Sequence, residues 1–227
     1  MSHRTRGTAI DAIEKRHEAL LILDVDEVVL EFIAPFQTLL GEHGAALRFD
    51  SYKLTGNAMR VSSGIALSGG ELETIMLQLY AEQAKRQLPV NGVREALDEL
   101  GQHADIVFLT AMDPDYHDTR RAVLDAAGLS YPMIATERAK GGVVAELQAR
   151  WSGPIVFVDD LPPNLQTVRR SAPTVHLVHL MAHDGFRPHL PALPSGTLSA
   201  RDWPHARNLI GSILRDGSDA DGLGPTG

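Results

Sequence analysis

The sequence predicts an α/β chain built on a doubly wound, mostly parallel sheet. Three observations carry that prediction. From residue 90 onward, apolar runs alternate with helical stripes, the pattern of repeated βα units. The apolar runs are continuous rather than alternating, as in strands covered on both faces. The first of them, Leu21-Ile22-Leu23, ends in Asp24-Val25-Asp26. A buried carboxylate is costly, but the end of a parallel strand enters the crevice in which such sheets bind ligands.

The elements follow in order. Residues 9–18 are expected to form a short amphipathic helix before a first strand at about 19–24. Residues 31–89 then break the rhythm with a detour far longer than a normal crossover. Within it, Phe32, Ile33, Phe36, Leu39 and Leu40 suggest one helix. Ser68-Gly69-Gly70-Glu71 forms a capping box ahead of Leu72, Ile75, Met76 and Leu79, a stripe expected to pack inside the detour. Residues 44–70 are rich in Gly and Ser with little pattern. The whole reads as a small helical insertion over the carboxyl edge of the sheet. Beyond it, Val93, Ala96, Leu97 and Leu100 form a stripe closed by Gly101, and a strand follows at 105–109. Asp113-Pro114 opens a helix that Gly128 ends. Strands are expected at 133–135, 155–158 and 174–180. Between them lie helices carrying Val143, Val144 and Leu147, and, after Pro162-Pro163, Leu165 and Val168. The organisation is a core of residues 1–30 and 90–215, an insertion of 31–89, and a Gly- and Asp-rich tail, 216–227, expected to be disordered.

At 227 residues and 44% hydrophobic content, the chain can bury a substantial core. Its net charge of −8 argues against a nonspecific nucleic-acid grip. A small phosphorylated substrate is compatible with it, because such a ligand meets a local field set by a bound cation. With no cysteine, disulfides, thiolate metal sites and cysteine nucleophiles are excluded. The first 18 residues are polar and mixed in charge, unlike a secretory signal, and no apolar run approaches a membrane span. A cytoplasmic protein without a membrane partner is the expectation.

Several strand ends carry polar residues that the strands themselves do not need: Asp24 and Asp26, Thr110, and Asp159-Asp160. Lys140 stands just before a helix that begins Gly141-Gly142. In a parallel sheet these gather at one edge. Asp24 is placed to attack phosphorus in line, and Asp26 to give a proton to the leaving oxygen and later take one from water. Asp160 can complete an oxygen-ligand set for Mg²⁺. The Thr110 hydroxyl can hold phosphoryl oxygens, and Lys140 can offset the charge of Asp24 and of the transferring group.

The set resembles the haloacid dehalogenase (HAD) superfamily, most of whose members are phosphatases. Asp24-Val25-Asp26, Thr110 in Phe108-Leu109-Thr110-Ala111, Lys140, and Val158-Asp159-Asp160 stand in the order of its four motifs. Residues 31–89 fall where that family inserts a C1-type helical cap. The resemblance implies a Rossmann-like core in which Asp24 is the nucleophile and Asp26 the general acid/base. Mg²⁺ is then held by the Asp24 carboxylate, the Asp26 backbone carbonyl and the Asp160 carboxylate, with Asp159 supporting Lys140 or the metal's surroundings. It further implies a Mg²⁺-dependent phosphomonoester hydrolase acting on a small phosphorylated metabolite. A phosphomutase or other phosphoryl transferase, or a binding or regulatory protein without turnover, are the alternatives. Dehalogenase members lack an acid at the position of Asp26, which favours phosphate-ester chemistry.

Two residues depart from the family pattern. Glu27 stands where Gly or another small residue is common, and is expected to crowd or charge the mouth of the site. Asn164 stands where many relatives carry a second carboxylate; the Asp159-Asp160 pair partly offsets this. Lys140 is preferred to neighbouring Arg138 by motif position. His176, His179 and His183 are not expected to share an ion, because strand alternation puts 176 and 179 on opposite faces.

Overall fold

The computed structural model describes residues 3–220, and side chains as far as 215. In chain order its elements are β1 (Thr5–Gly7), β2 (Leu20–Leu23), α1 (Ile33–Glu42), β3 (Ala45–Leu47), β4 (Ala58–Arg60), α2 (Gly69–Ala81), α3 (Gln83–Arg86), α4 (Val93–Leu100), β5 (Asp105–Thr110), α5 (His117–Ala126), β6 (Met133–Thr136), α6 (Lys140–Gln148), β7 (Ile155–Asp159), α7 (Pro162–Ser171), β8 (His176–His179), β9 (Leu198–Ser199) and α8 (Trp203–Ala220). The main sheet has seven strands in the order β1-β6-β5-β2-β7-β8-β9. β2 lies at its centre, parallel to both β5 and β7, and β1 alone is antiparallel, along β6.

The continuous apolar runs have a direct structural cause. Leu21 and Leu23 point into one layer with Phe108, Val156, Val178, Leu97 and Trp203. Leu20 and Ile22 point into the other, with Val107, Phe157, Val144, Leu147 and Leu165. Both faces are covered by helices, so every strand position must be apolar until the strand ends. Chain reversal at the centre then sets the crevice. From β2 the chain goes to β5 and β6 on one side, then crosses to β7 and β8 on the other. The gap opens at the carboxyl ends of β2 and β7.

Residues 33–86 fold around a second cluster, including Phe36, Leu39, Leu40, Leu72, Ile75 and Leu79, to which Met181 and Phe186 of the core also belong. The expected capping box is present: the Glu71 N–H donates to Ser68 Oγ, and the Ser68 N–H donates to Glu71 Oε2 at 3.0 Å. The insertion is not purely helical, however. The Gly- and Ser-rich stretch holds an antiparallel hairpin, β3–β4, with Ala46 opposite Met59. Strand length is three residues each, too short to show a two-residue period in the sequence. Its two connections to the core run side by side: Glu31 N–H donates to Leu88 O, and Val90 N–H to Val29 O, both at 2.9 Å.

Other expectations are corrected. Residues 9–18 hold only a 3₁₀ turn at Ile10–Ala12. Their backbone is engaged from outside: Arg150 donates to the carbonyls of Ile10 and Ile13, and Asp105 accepts from the N–H groups of Arg16 and His17. The sheet has two edge strands, β1 and β9, that short polar sequences did not announce. α8 was also missed, although Trp203, Ala206, Ile210 and Leu214 are spaced as a buried helical stripe and pack on α4. Trp203 Nε1 donates to Val28 O at 2.7 Å and so ties α8 to the loop after β2. The helix runs to Ala220, past the point where the sequence suggests a tail; residues 221–227 lie outside the described residues. No described helix is long and apolar enough to cross a membrane.

Candidate active site

The polar strand ends do converge. Asp24 directly follows β2, and its N–H still donates to Val158 O of β7 at 2.9 Å. Thr110 ends β5, Asp159 ends β7 with Asp160 next to it, and Lys140 opens α6. α6 is brought down over the strand ends by its glycine. A Cβ on Gly141 would sit 2.4 Å from Thr167 O, so only glycine lets α6 and α7 approach this closely. Arg138 points elsewhere and pairs with Glu146.

Lys140 Nζ lies 2.6 Å from Asp24 Oδ1 and 2.7 Å from Asp159 Oδ2, and all three residues are buried. Burial alone would lower the lysine's pKa, but the Asp159 and Asp24 carboxylates outweigh it and hold the ammonium charged. Asp159 is saturated by donors: Leu161 N–H at 2.9 Å and Asn164 Nδ2 at 3.0 Å reach its Oδ1. It fixes Lys140 and has no lone pair to spare for chemistry. Asn164 thus serves as a donor that orients Asp159.

Asp24 and Asp160 are in a different condition. Burial pushes the Asp24 carboxyl up to about 7, against the pull of Lys140 and with Asp159 adding to the rise. Burial, reinforced by Asp159 and Asp24, drives Asp160 well above the usual carboxylate range. No cation lies at ion-pair distance from Asp160 among the described residues. Oxygens of Asp24, Asp159 and Asp160 all lie within 4.8 Å of one another, the one such group of potential ligands among the described residues. With Asp159 spent on Lys140, the Asp24 and Asp160 carboxylates remain as oxygen donors short of positive charge, which fits a hard divalent cation such as Mg²⁺. The Asp26 carboxylate stands outside this group. His179 is buried with Nε2 at 2.9 Å from Asp160 O, while His176 is exposed and His183 Nδ1 accepts from Gly185 N–H.

Asp26 is held by residues that sequence reasoning missed. Its Oδ1 lies 3.0 Å from Arg120 Nη1 of α5 and accepts from Gln87 Nε2 at 3.1 Å. Nothing marked these two in the sequence, because Arg and Gln are ordinary surface residues and only burial sets them apart. Thr110 Oγ1 accepts from Met112 N–H at 3.2 Å, which leaves its proton free to point into the crevice.

Glu27 lines the crevice and its charge is felt at Asp160, as expected, but its carboxylate is engaged by backbone donors. Its side chain turns inward: Oε1 accepts from the N–H groups of Phe32 (2.9 Å) and Ile33 (2.7 Å), and Oε2 from that of His183 (2.7 Å). It caps the start of α1 and pins the loop after β8. It does so with φ 62°, the one non-glycine residue with positive φ among those described.

Above these groups lies a cavity of about 620 Å³. Asp24, Asp26, Thr110, Lys140 and Asp160 line its floor, and Phe32, Leu54, Leu72, Met76 and Tyr80 of the insertion line its upper part. Tyr52 and Lys53 also line it, whereas Arg60 pairs with Glu71.

The sequence matches no family model and no curated protein. Solved structures are similar in fold. A haloacid dehalogenase-like protein of unknown function from Agrobacterium tumefaciens superposes with a TM-score of 0.58 and 17% identity, covering 86% of this chain and 98% of the other. A haloacid dehalogenase-like family hydrolase from Xanthomonas campestris gives 0.58 and 11%, covering 92% and 98%. A haloacid dehalogenase-like family hydrolase from Streptococcus pneumoniae gives 0.53 and 12%, covering 85% and 96%. The chain has the haloacid dehalogenase-like fold.

Proposed function

We propose, for a chain of this fold, that the crevice is the site of a Mg²⁺-dependent phosphomonoester hydrolase acting on a small phosphorylated metabolite. The observation that carries the reading is the buried Asp24–Lys140–Asp159 chain of contacts at 2.6 and 2.7 Å. It fixes one carboxylate, by way of a fully charged lysine, at the end of the central strand and below a cavity large enough for a metabolite.

In this reading an Asp24 oxygen attacks phosphorus, the bond from phosphorus to the ester oxygen breaks, and Asp26 gives that oxygen a proton. An alcohol leaves and an aspartyl-phosphate remains. Asp26, now a carboxylate, takes a proton from water; the hydroxide attacks phosphorus and the bond to Asp24 breaks, releasing phosphate. Lys140 and the Thr110 hydroxyl meet the charge on the phosphoryl oxygens. The Asp24 and Asp160 carboxylates and the Asp26 backbone carbonyl would hold Mg²⁺, which when bound supplies further compensation for that charge. The insertion acts as a cap: its paired connections at residues 29–31 and 88–90 form a neck about which it can close and exclude bulk water.

The test is phosphate release from sugar phosphates, nucleotides and apolar alkyl and aryl phosphates, with Mg²⁺ or with EDTA. Release is expected with Mg²⁺ only, and loss of about a thousandfold or more in Asp24→Asn. Unchanged release by Asp24→Asn sinks the reading. Isomerised product without free phosphate would instead mark a phosphomutase.

A further inference from the structure

Arg120 is fully buried, and a buried guanidinium is expensive unless its donors are met. Its planar fork is met from three sides. Nε donates to Gln83 Oε1 and Nη2 to Gln87 Oε1 at 3.3 Å, both on the return limb of the insertion. The Tyr80 ring lies 5.5 Å from Cζ. Nη1 has no hydrogen-bond acceptor in good alignment among the described residues, and its charge partner is Asp26 Oδ1 at 3.0 Å. Gln87 Nε2 reaches the same oxygen and also Glu31 O at 3.0 Å. Both contacts to Asp26 therefore fall on Oδ1, and Oδ2 takes no hydrogen bond among the described residues. An apolar side chain would fill this space at lower cost, so packing alone does not account for an arginine.

We infer that Arg120 is a positioning residue for Asp26, turning the carboxyl group through Oδ1 so that Oδ2 is presented to the leaving-group oxygen. The inference rests on the hydrolase reading, in which Asp26 is the acid. When the phosphorus–oxygen bond of the ester breaks, its electron pair stays on the ester oxygen and the Oδ2 proton moves to that oxygen. Asp26 is left as a carboxylate facing a cation that was already in place, so no reorganisation accompanies the charge. Gln83 and Gln87 hold the guanidinium from the insertion, which ties the acid's orientation to the seating of the cap.

A general acid matters in proportion to the basicity of the leaving oxygen, and this separates positioning from a merely structural role. kcat/KM reports events through cleavage of the ester bond, before water attacks. It is measured for benzyl phosphate, a poor leaving group, and p-nitrophenyl phosphate, a good one, in the wild type, Asp26→Asn, Arg120→Lys and Gln87→Leu. Asp26→Asn is expected to lose about a hundredfold on benzyl phosphate and less than about fivefold on p-nitrophenyl phosphate. Arg120→Lys and Gln87→Leu should show the same selectivity at about tenfold, and neither should add to Asp26→Asn in the double variant. Should Arg120→Lys fail to fold, Gln87→Leu decides. Equal losses on the two esters, or none, overturn the inference and leave the hydrolase reading standing. A wild type that hydrolyses neither ester with Mg²⁺ overturns both.

Discussion

Glu27 sits in a left-handed conformation that glycine adopts freely and other residues adopt at a cost of about 1–2 kcal/mol. It is retained because one carboxylate satisfies three backbone donors at once, two at the start of α1 and one after β8. Burial raises its pKa and those donors oppose the rise. Glu27→Ala keeps the strain and orphans the donors, so it is expected to cost about 4 kcal/mol in urea unfolding. Glu27→Gly orphans the same donors but relaxes the backbone, and should be milder by about 1 kcal/mol. Equal stabilities for Glu27→Ala and the wild type would show that the caps carry nothing. Lys140 makes the opposite kind of argument. Lys140→Met leaves Asp24 and Asp159 buried without their shared cation, and a loss of about 3–5 kcal/mol is expected in the same assay. The sequence showed Lys140 by its place in a motif. It could not show Arg120 or Gln87, whose types are unremarkable and whose importance comes from burial against Asp26, some 60 residues or more away along the chain for Gln87.

At the scale of elements, the contact of α6 with α7 decides where Lys140 stands. Gly141→Ala places a Cβ 2.4 Å from Thr167 O, a backbone atom that cannot step aside, so the helices must part. A loss of about 2–3 kcal/mol is expected, with a fall in kcat as Lys140 moves off Asp24. At Gly142 the nearest atom to a new Cβ is Arg138 Nη2 at 3.9 Å. Gly142→Ala should therefore be neutral or stabilising by about 0.5 kcal/mol. Thermal melts and initial rates of the two variants check this, and a Gly141→Ala variant as stable and active as the wild type would remove the close approach from the account. Periodicity made most elements legible. β2, β5 and β7 are apolar and buried on both faces, and their helices each bury one apolar stripe, so they write a strong pattern. β1 and β9 are two or three residues long and exposed, and the strands of the β3–β4 hairpin are three residues each, so they write none. Residues 9–18 resembled a helix in composition, but Ile13 alone is buried there among apolar side chains, and Arg150 and Asp105 claim the backbone instead.

The whole molecule balances a charge problem at the centre of its sheet, and pH shows which way it leans. Asp24 has an ordinary value of 3.8 and is raised to about 7 in the folded chain by burial. Between those values the folded protein holds a proton that the unfolded chain has released. The group's contribution to stability is thus fully present below about pH 4 and is lost as the pH rises through about 7. Asp160 is displaced in the same direction. His179 is displaced the other way, its pKa lowered first by burial, so its contribution is lost as the pH falls. A bare melting curve mixes these, but a difference does not. In EDTA, the melting temperature of Asp24→Asn minus that of the wild type is expected to grow from about pH 5 to about pH 8, because only the wild type is then forced to bury the charge. On the proposed reading Mg²⁺ would bind the ionised carboxylates and reverse the trend: its stabilisation of the wild type should increase over the same range and be largely absent in Asp24→Asn. A difference that stays flat in EDTA would mean that Asp24 is ionised throughout, with Lys140 alone compensating it. The acid cluster would then need no cation to be stable, and the case for a metal site at Asp24 and Asp160 would lose its physical basis.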